Sequence, residues 1–145
     1  MAAMSDWLEN GLVDLILRAQ TLTLPANLHF ALFTAAPSDS GGGTEVSGGS
    51  YARVSVARSL ANFAGTQSAG STTASTGTGG VTSNNGTITF PTPTANWGTV
   101  THFGVFDAST GGNLVFHGAL TTSRVINSGD GPIQFAAAAF QITFA

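Results

Sequence analysis

The chain has 145 residues, a length that suits one domain, and only 8% of them are charged, against about 25% in ordinary globular domains. Net charge is −3, lysine is absent, and Arg18, Arg53, Arg58 and Arg124 are scattered, which excludes a basic patch for nucleic acid. There is no cysteine, which excludes disulfides and thiolate metal sites. The surface must then be mostly Ser, Thr, Asn and Gly, or be covered by neighbouring subunits. That leans toward a protein that assembles; an extracellular polar β-domain fits the same composition.

The first twenty residues lack a basic start and carry Asp6, Glu9 and Asp14, so they do not read as a signal peptide. No run approaches the roughly 20 apolar residues of a membrane span. The expectation is synthesis and assembly in the cytoplasm, and no membrane partner. Residues 5–19 read as an amphipathic helix. Ser5 can cap it, Asp6 and Glu9 suit its first turn, and Arg18 suits its end. Leu8, Leu12 and Leu15 share one face, which Trp7 and Ile16 broaden. That stripe either packs on the domain's own sheet or docks on a neighbour.

After Pro25 the period changes to two. Leu28, Phe30 and Leu32 point one way and His29, Ala31 and Phe33 the other, which predicts a strand covered on both sides. Gly41 to Gly49 reads as a loop. Tyr51 to Leu60 reads as a second strand, with Tyr51 and Arg53 on one side. Residues 65–86 are of low complexity. Alone they should be mobile, so order there would point to pinning by neighbours. Further strands are predicted at Thr87–Phe90, Val100–Asp107, Asn113–Ala119 and Ile133–Phe144. Ser109 to Asn113 and Ser128 to Gly131 are turns, and the alanine run 136–139 is ambiguous between strand and helix. Six or more short strands with glycine-rich turns predict one mainly β domain over 1–145, an antiparallel, jelly-roll-like sandwich with one N-terminal helix.

Few residues could perform catalysis. His102 and His117 fall on adjacent predicted strands with Asp107 near the turn, so a His/His/Asp metal site is conceivable; two hydrogen-bonded strand histidines are the simpler expectation. No GxSxG elbow, HExxH pair or phosphate-binding glycine motif occurs. Asp39, Asp107 and Asp130 sit at turns, where the carboxylate commonly bonds the backbone. Trp97, with Tyr51, could contact a sugar or a partner if exposed, or anchor a loop if buried. No cofactor, metal or catalytic residue is assigned.

Two blocks carry a resemblance. The first is Leu32 to Asp39 running into Thr44-Glu45-Val46-Ser47-Gly48-Gly49-Ser50-Tyr51-Ala52-Arg53-Val54. The second is Ile88 to Pro91, then Ala95 to Asp107, continuing to Gly111 to Leu114 and Gly118 to Thr121. With the helix before them they resemble small tailed-bacteriophage virion structural proteins, often labelled tail fibre proteins. The resemblance implies a non-enzymatic role on the outer surface of the virion. The leading expectation is a capsid decoration (cement) protein that binds the major capsid protein or other virion proteins and stabilises the shell. The alternative is a tail fibre or tail-tip component that binds host glycans. Self-association is expected, with a trimer by analogy to decoration proteins. The assembly contacts expected are Leu8, Leu12 and Leu15 on the helix, with Arg53, Arg58 and Arg124 in pairs between subunits. Trp97 and Tyr51 are the candidate ligand contacts.

Overall fold

The structure, a computed structural model, describes residues 2–144. Ser5 sets the start of its helix. Its backbone is extended, and its hydroxyl accepts from the Leu8 N–H while donating to the carbonyl of Leu114. This satisfies one of the free donors at a helix N-terminus and ties the helix to a neighbouring strand. The helix, α1, spans Asp6–Leu17, and Arg18 closes it.

The chain builds ten strands: β1 (Ala3–Met4), β2 (Asn27–Ala35), β3 (Thr44–Glu45), β4 (Val54–Ala57), β5 (Val81–Ser83), β6 (Ile88–Thr89), β7 (Gly98–Phe106), β8 (Leu114–Ile126), β9 (Gln134–Phe135) and β10 (Gln141–Thr143). The main sheet has the order β1-β8-β7-β2-β3, with β4 also pairing along β2. β5 with β10, and β6 with β9, form two small ribbons. All named pairings are antiparallel. The protein is therefore mainly β, with one helix near its N-terminus.

Cross-strand partners share a face of the sheet. Phe30, Val105 and Phe116 lie in one row, and Leu32 pairs with Phe103 beside it. This face meets the ribbons. Phe140 stands edge-on to Phe30 at 4.9 Å and to Phe103 at 5.0 Å, centroid to centroid, which is the preferred aromatic arrangement. The other face carries His29 opposite Phe106, Ala31 opposite Gly104 and His117, and Phe33 opposite His102. All three histidines thus share one side. Over Gly104 the side chains of Phe33, Phe106 and Leu114 converge: a Cβ there would lie 2.8, 3.1 and 3.2 Å from them.

The structure departs from the sequence reading at four places. The second predicted strand shrinks to Val54–Ala57, because Ser50 turns left-handed (φ 64°) and Tyr51 is directed inward. The strand expected to end at Ala119 runs on to Ile126, past an irregularity where Val100 pairs with Arg124 but His102 with Ala119. The final strand is split into β9 and β10, and the alanine run between them is neither strand nor helix. Buried Asn84 holds it: its side-chain amide donates to the carbonyls of Gly86 and Ala136, and its side-chain oxygen accepts from Phe140 N. Finally, residues 65–86 are held by their own polar groups. Gly65 N–H donates to Ser71 Oγ, Thr66 N–H to Ser75 Oγ, and the Gln67 amide to Thr73 Oγ1.

Candidate functional site

Three chain segments meet above the histidine-bearing face: the N-terminal turn of α1, the loop Ser38–Gly43, and the tip of the β7–β8 hairpin. Between them lies an open cleft of about 630 Å³, within the range of ~300–1,000 Å³ usual for small-molecule sites. Its position follows from local chemistry. Asp6 N–H donates to the Asp39 carbonyl, and Asp39 Oδ1 lies 2.9 Å from His117 Nε2. Ser5 N–H donates to the Val115 carbonyl. The loop is thereby latched to both the helix and β8.

Gly41, Gly42 and Gly43 take φ of 95°, 78° and 76°, a run that side-chain-bearing residues rarely adopt. At Gly43 a Cβ would also lie 2.7 Å from Pro37 N. The result is a rim of bare backbone. Across the cleft, Asp107 fixes the hairpin tip: its carboxylate accepts from the backbone and side-chain nitrogens of Asn113, each at 2.7 Å.

The floor is a buried ionic clamp. Arg53 donates from Nε and Nη2 to the two oxygens of Glu45, at 2.8 and 2.7 Å. Its Nη1 donates to the carbonyls of Ala108 and Gly111 in the hairpin tip. The guanidinium also lies 3.6 Å above the centre of the Phe106 ring. Bidentate pairing and stacking of this kind belong to arginine and not to lysine. Tyr51 completes the network, accepting from Leu32 N–H and donating to Glu45. Burial pushes its phenol well above the ordinary range, and the Glu45 carboxylate adds to that rise.

The residues singled out from sequence scatter in consequence. Arg53 is paired within the chain with Glu45. Arg58 bonds the carbonyls of Leu24 and Pro25. Arg124 is exposed and has no salt bridge among the described residues. Trp97 is 5% exposed and donates its indole N–H to the Gly49 carbonyl. Tyr51 stands edge-on to it at 5.4 Å. Neither can serve as an open platform; both anchor the Gly48–Tyr51 turn. His102 bonds Thr101, His117 faces Asp39, and Asp107 is occupied by Asn113, so the His/His/Asp cluster does not assemble. A register shift beside Val105 and Phe106 sets His117 opposite Gly104.

On α1, Leu8 is buried and Leu12 packs on the core, whereas Leu15 is half exposed. The sequence stripe therefore divides. Val13, Ile16 and Leu17 are 48, 72 and 77% exposed. Sequence reasoning singled out neither Val13 nor Leu17, and it did not place Trp7 in a cleft, which it lines. The signal available was that both faces of the helix's second half are apolar, and that Trp7 stands two residues after the cap.

The chain was compared with known proteins. No curated protein matches it. A family model described as Podophage GP4 fiber I protein gp80 matches residues 3–143. That match takes in the helix, the sheet, both ribbons and every wall of the cleft, and the chain belongs to this phage fibre family of virion structural proteins.

Proposed function

We propose that the chain is a non-enzymatic subunit of an outer fibre of the phage particle, seated on a neighbouring virion protein through the second half of α1. The observation that carries this reading is the exposure of Val13, Leu15, Ile16 and Leu17 on consecutive turns, in a chain whose surface has few charges to oppose contact. Large exposed apolar side chains gathered at one helix end, with Val13, Ile16 and Leu17 on a shared face, mark association sites. The family's description as a fibre protein favours a fibre over the head lattice. The second reading, a capsid decoration protein seated on the major capsid protein, is favoured by the lack of heptads or a shaft repeat in the sequence. Both readings use the same helix end.

The test is incorporation. Phage lacking the chain would be complemented with wild type or with Ile16→Asp/Leu17→Asp. Both side chains already face solvent, so the variant is expected to fold. The expected result is particles depleted of the variant by mass spectrometry. Incorporation at the wild-type level would refute the docking role of α1.

A further inference from the structure

We propose that the partner received by the second half of α1 is another copy of this chain, and that the helix end seats in an apolar groove lined by Leu28, Leu60, Phe63, Phe116, Ile142 and Phe144. This rests on the reading of α1 as a docking element and adds its partner and the receiving surface.

The groove, of about 310 Å³, lies between residues 58–65, the β5–β10 ribbon and the sheet. Its walls are fixed by ring packing. Phe144 stands edge-on to Phe116 at 5.8 Å, and Phe63 stacks beside Phe30 at 6.4 Å. Its rim is open to solvent: Leu60 is 55% and Phe144 48% exposed. Apolar surface gathered in this way marks an association site. No residue of α1 lines the groove, so the chain's own helix end leaves it unfilled.

The helix end has the matching form. Glu9, Val13, Ile16 and Leu17 follow the i, i+4, i+7, i+8 spacing of one helical face, and Ile16 and Leu17 project furthest into solvent. An apolar cavity of ~150 Å³ holds a six-carbon ring, so the groove has room for about two aliphatic side chains of that size. Ile16 and Leu17 supply two.

Charge selects a copy of the same chain as the occupant. Arg58 is the one charged residue lining the groove. It is exposed, and it bonds the carbonyls of Leu24 and Pro25. No carboxylate pairs with it among the described residues. On the helix face, Glu9 is the one charged residue. It too is exposed and has no cationic partner among the described residues. Asp14 and Arg18 neutralise each other on a different side of the helix. Glu9 precedes Ile16 by seven residues, about 10 Å along the axis at the helical rise. With Ile16 in the hollow, Glu9 therefore falls at the rim, where Arg58 stands. An unmatched anion on one surface and an unmatched cation on the other are what a specific contact brings together. The low charge of the chain leaves little repulsion between copies. Because the contact joins unlike patches, it can repeat from copy to copy.

The test is sedimentation velocity on the purified full chain. The expected result is a mass that rises with concentration, with Kd on the order of 10 μM. Ile16→Asp/Leu17→Asp on the helix and Leu60→Asp in the groove should each weaken association at least ~tenfold. Mixing the two variants should restore a 1:1 complex, since each keeps the patch the other has lost. Glu9→Arg leaves the apolar surface intact and should weaken association at least ~threefold by facing Arg58 with a like charge. The chain has no cysteine, so Ile16→Cys mixed with Leu60→Cys should form a mixed disulfide on mild oxidation that neither variant forms alone. Circular dichroism checks the fold of each variant; should Leu60→Asp fail to fold, the disulfide experiment decides. The proposal is overturned by a wild-type chain that stays monomeric, by association of folded Leu60→Asp at the wild-type level, or by disulfides that form as readily in each cysteine variant alone. A monomeric wild-type chain whose Ile16→Asp/Leu17→Asp variant is still lost from particles would overturn this proposal alone: α1 would then dock on a different virion protein.

Discussion

Replacing Arg53 with methionine keeps an unbranched apolar stem and removes the fork that holds the cleft floor. Four hydrogen bonds disappear, two of them to Glu45 and two to the hairpin tip. Summing them as independent bonds would overstate the loss, since the buried guanidinium also has a desolvation cost. The larger penalty is the Glu45 carboxylate left with Tyr51 as its one side-chain donor. Removing one partner of a buried pair costs about 3–5 kcal/mol. Glu45 is 27% exposed at its side chain and can recruit water, so the lower end, about 3 kcal/mol, applies. In a chain of this size that lowers Tm by roughly 10 °C. Denaturant unfolding of Arg53→Met, Glu45→Leu and the double variant measures it. The double variant should be more stable than Arg53→Met alone, because the orphaned charge is gone, and backbone amides of 108–113 should exchange faster in both. A loss below about 1 kcal/mol for Arg53→Met, or a double variant that loses the sum of the two single losses, would refute the reasoning.

Other expectations follow from the same contacts. Gly104→Ala places a methyl 2.8 Å from Phe33 Cε2 and should cost about 1–3 kcal/mol in urea unfolding; an unchanged midpoint would show that the rings move freely. Asn84→Ala strips the hydrogen bonds of Gly86, Ala136 and Phe140 and should cost at least ~3 kcal/mol, with loss of the β5–β10 ribbon seen by amide exchange. Ser5→Ala removes the cap and the tie to Leu114 and should cost about 1–2 kcal/mol by thermal melting. For pH, Tyr51 ionises more readily in the unfolded chain than in the folded one. Its contribution is fully present below the ordinary phenol value of about 10 and is lost as pH rises toward the higher folded value. Stability measured above pH ~10 should fall, and Tyr51→Phe should flatten that fall; an equal slope in the variant would contradict the assignment.

The helix, β2, β7 and the hairpin were legible because each is a local pattern. Ser5 precedes an apolar period of three and four, Leu28 to Phe33 alternate, and Gly111-Gly112 marks the tip. What was not legible depends on partners distant in sequence. Asn84 divides the last strand from 56 residues away, and nothing in the alanine run announces it. Arg53 reads as a cation for pairs between subunits until Glu45, Ala108 and Gly111 are brought around it. The two tryptophans follow the same rule. Trp97 read as either an exposed contact or a loop anchor, and the turn at Gly49, which covers its indole N–H, makes it the anchor. Trp7 looked like part of a helix stripe, yet the Ser38–Gly43 loop opens a cleft beside it. Along the helix stripe, Leu8 and Leu12 serve the core and Leu15 is exposed.

Where the chain sits on the particle is directly measurable. Purified particles carrying an epitope after residue 144 would be labelled with gold-conjugated antibody and imaged by electron microscopy. The expected label is confined to fibres that project from the particle. Label spread regularly over the head lattice would contradict the fibre reading and favour decoration of the capsid, and the absence of label from intact particles would contradict a virion role altogether.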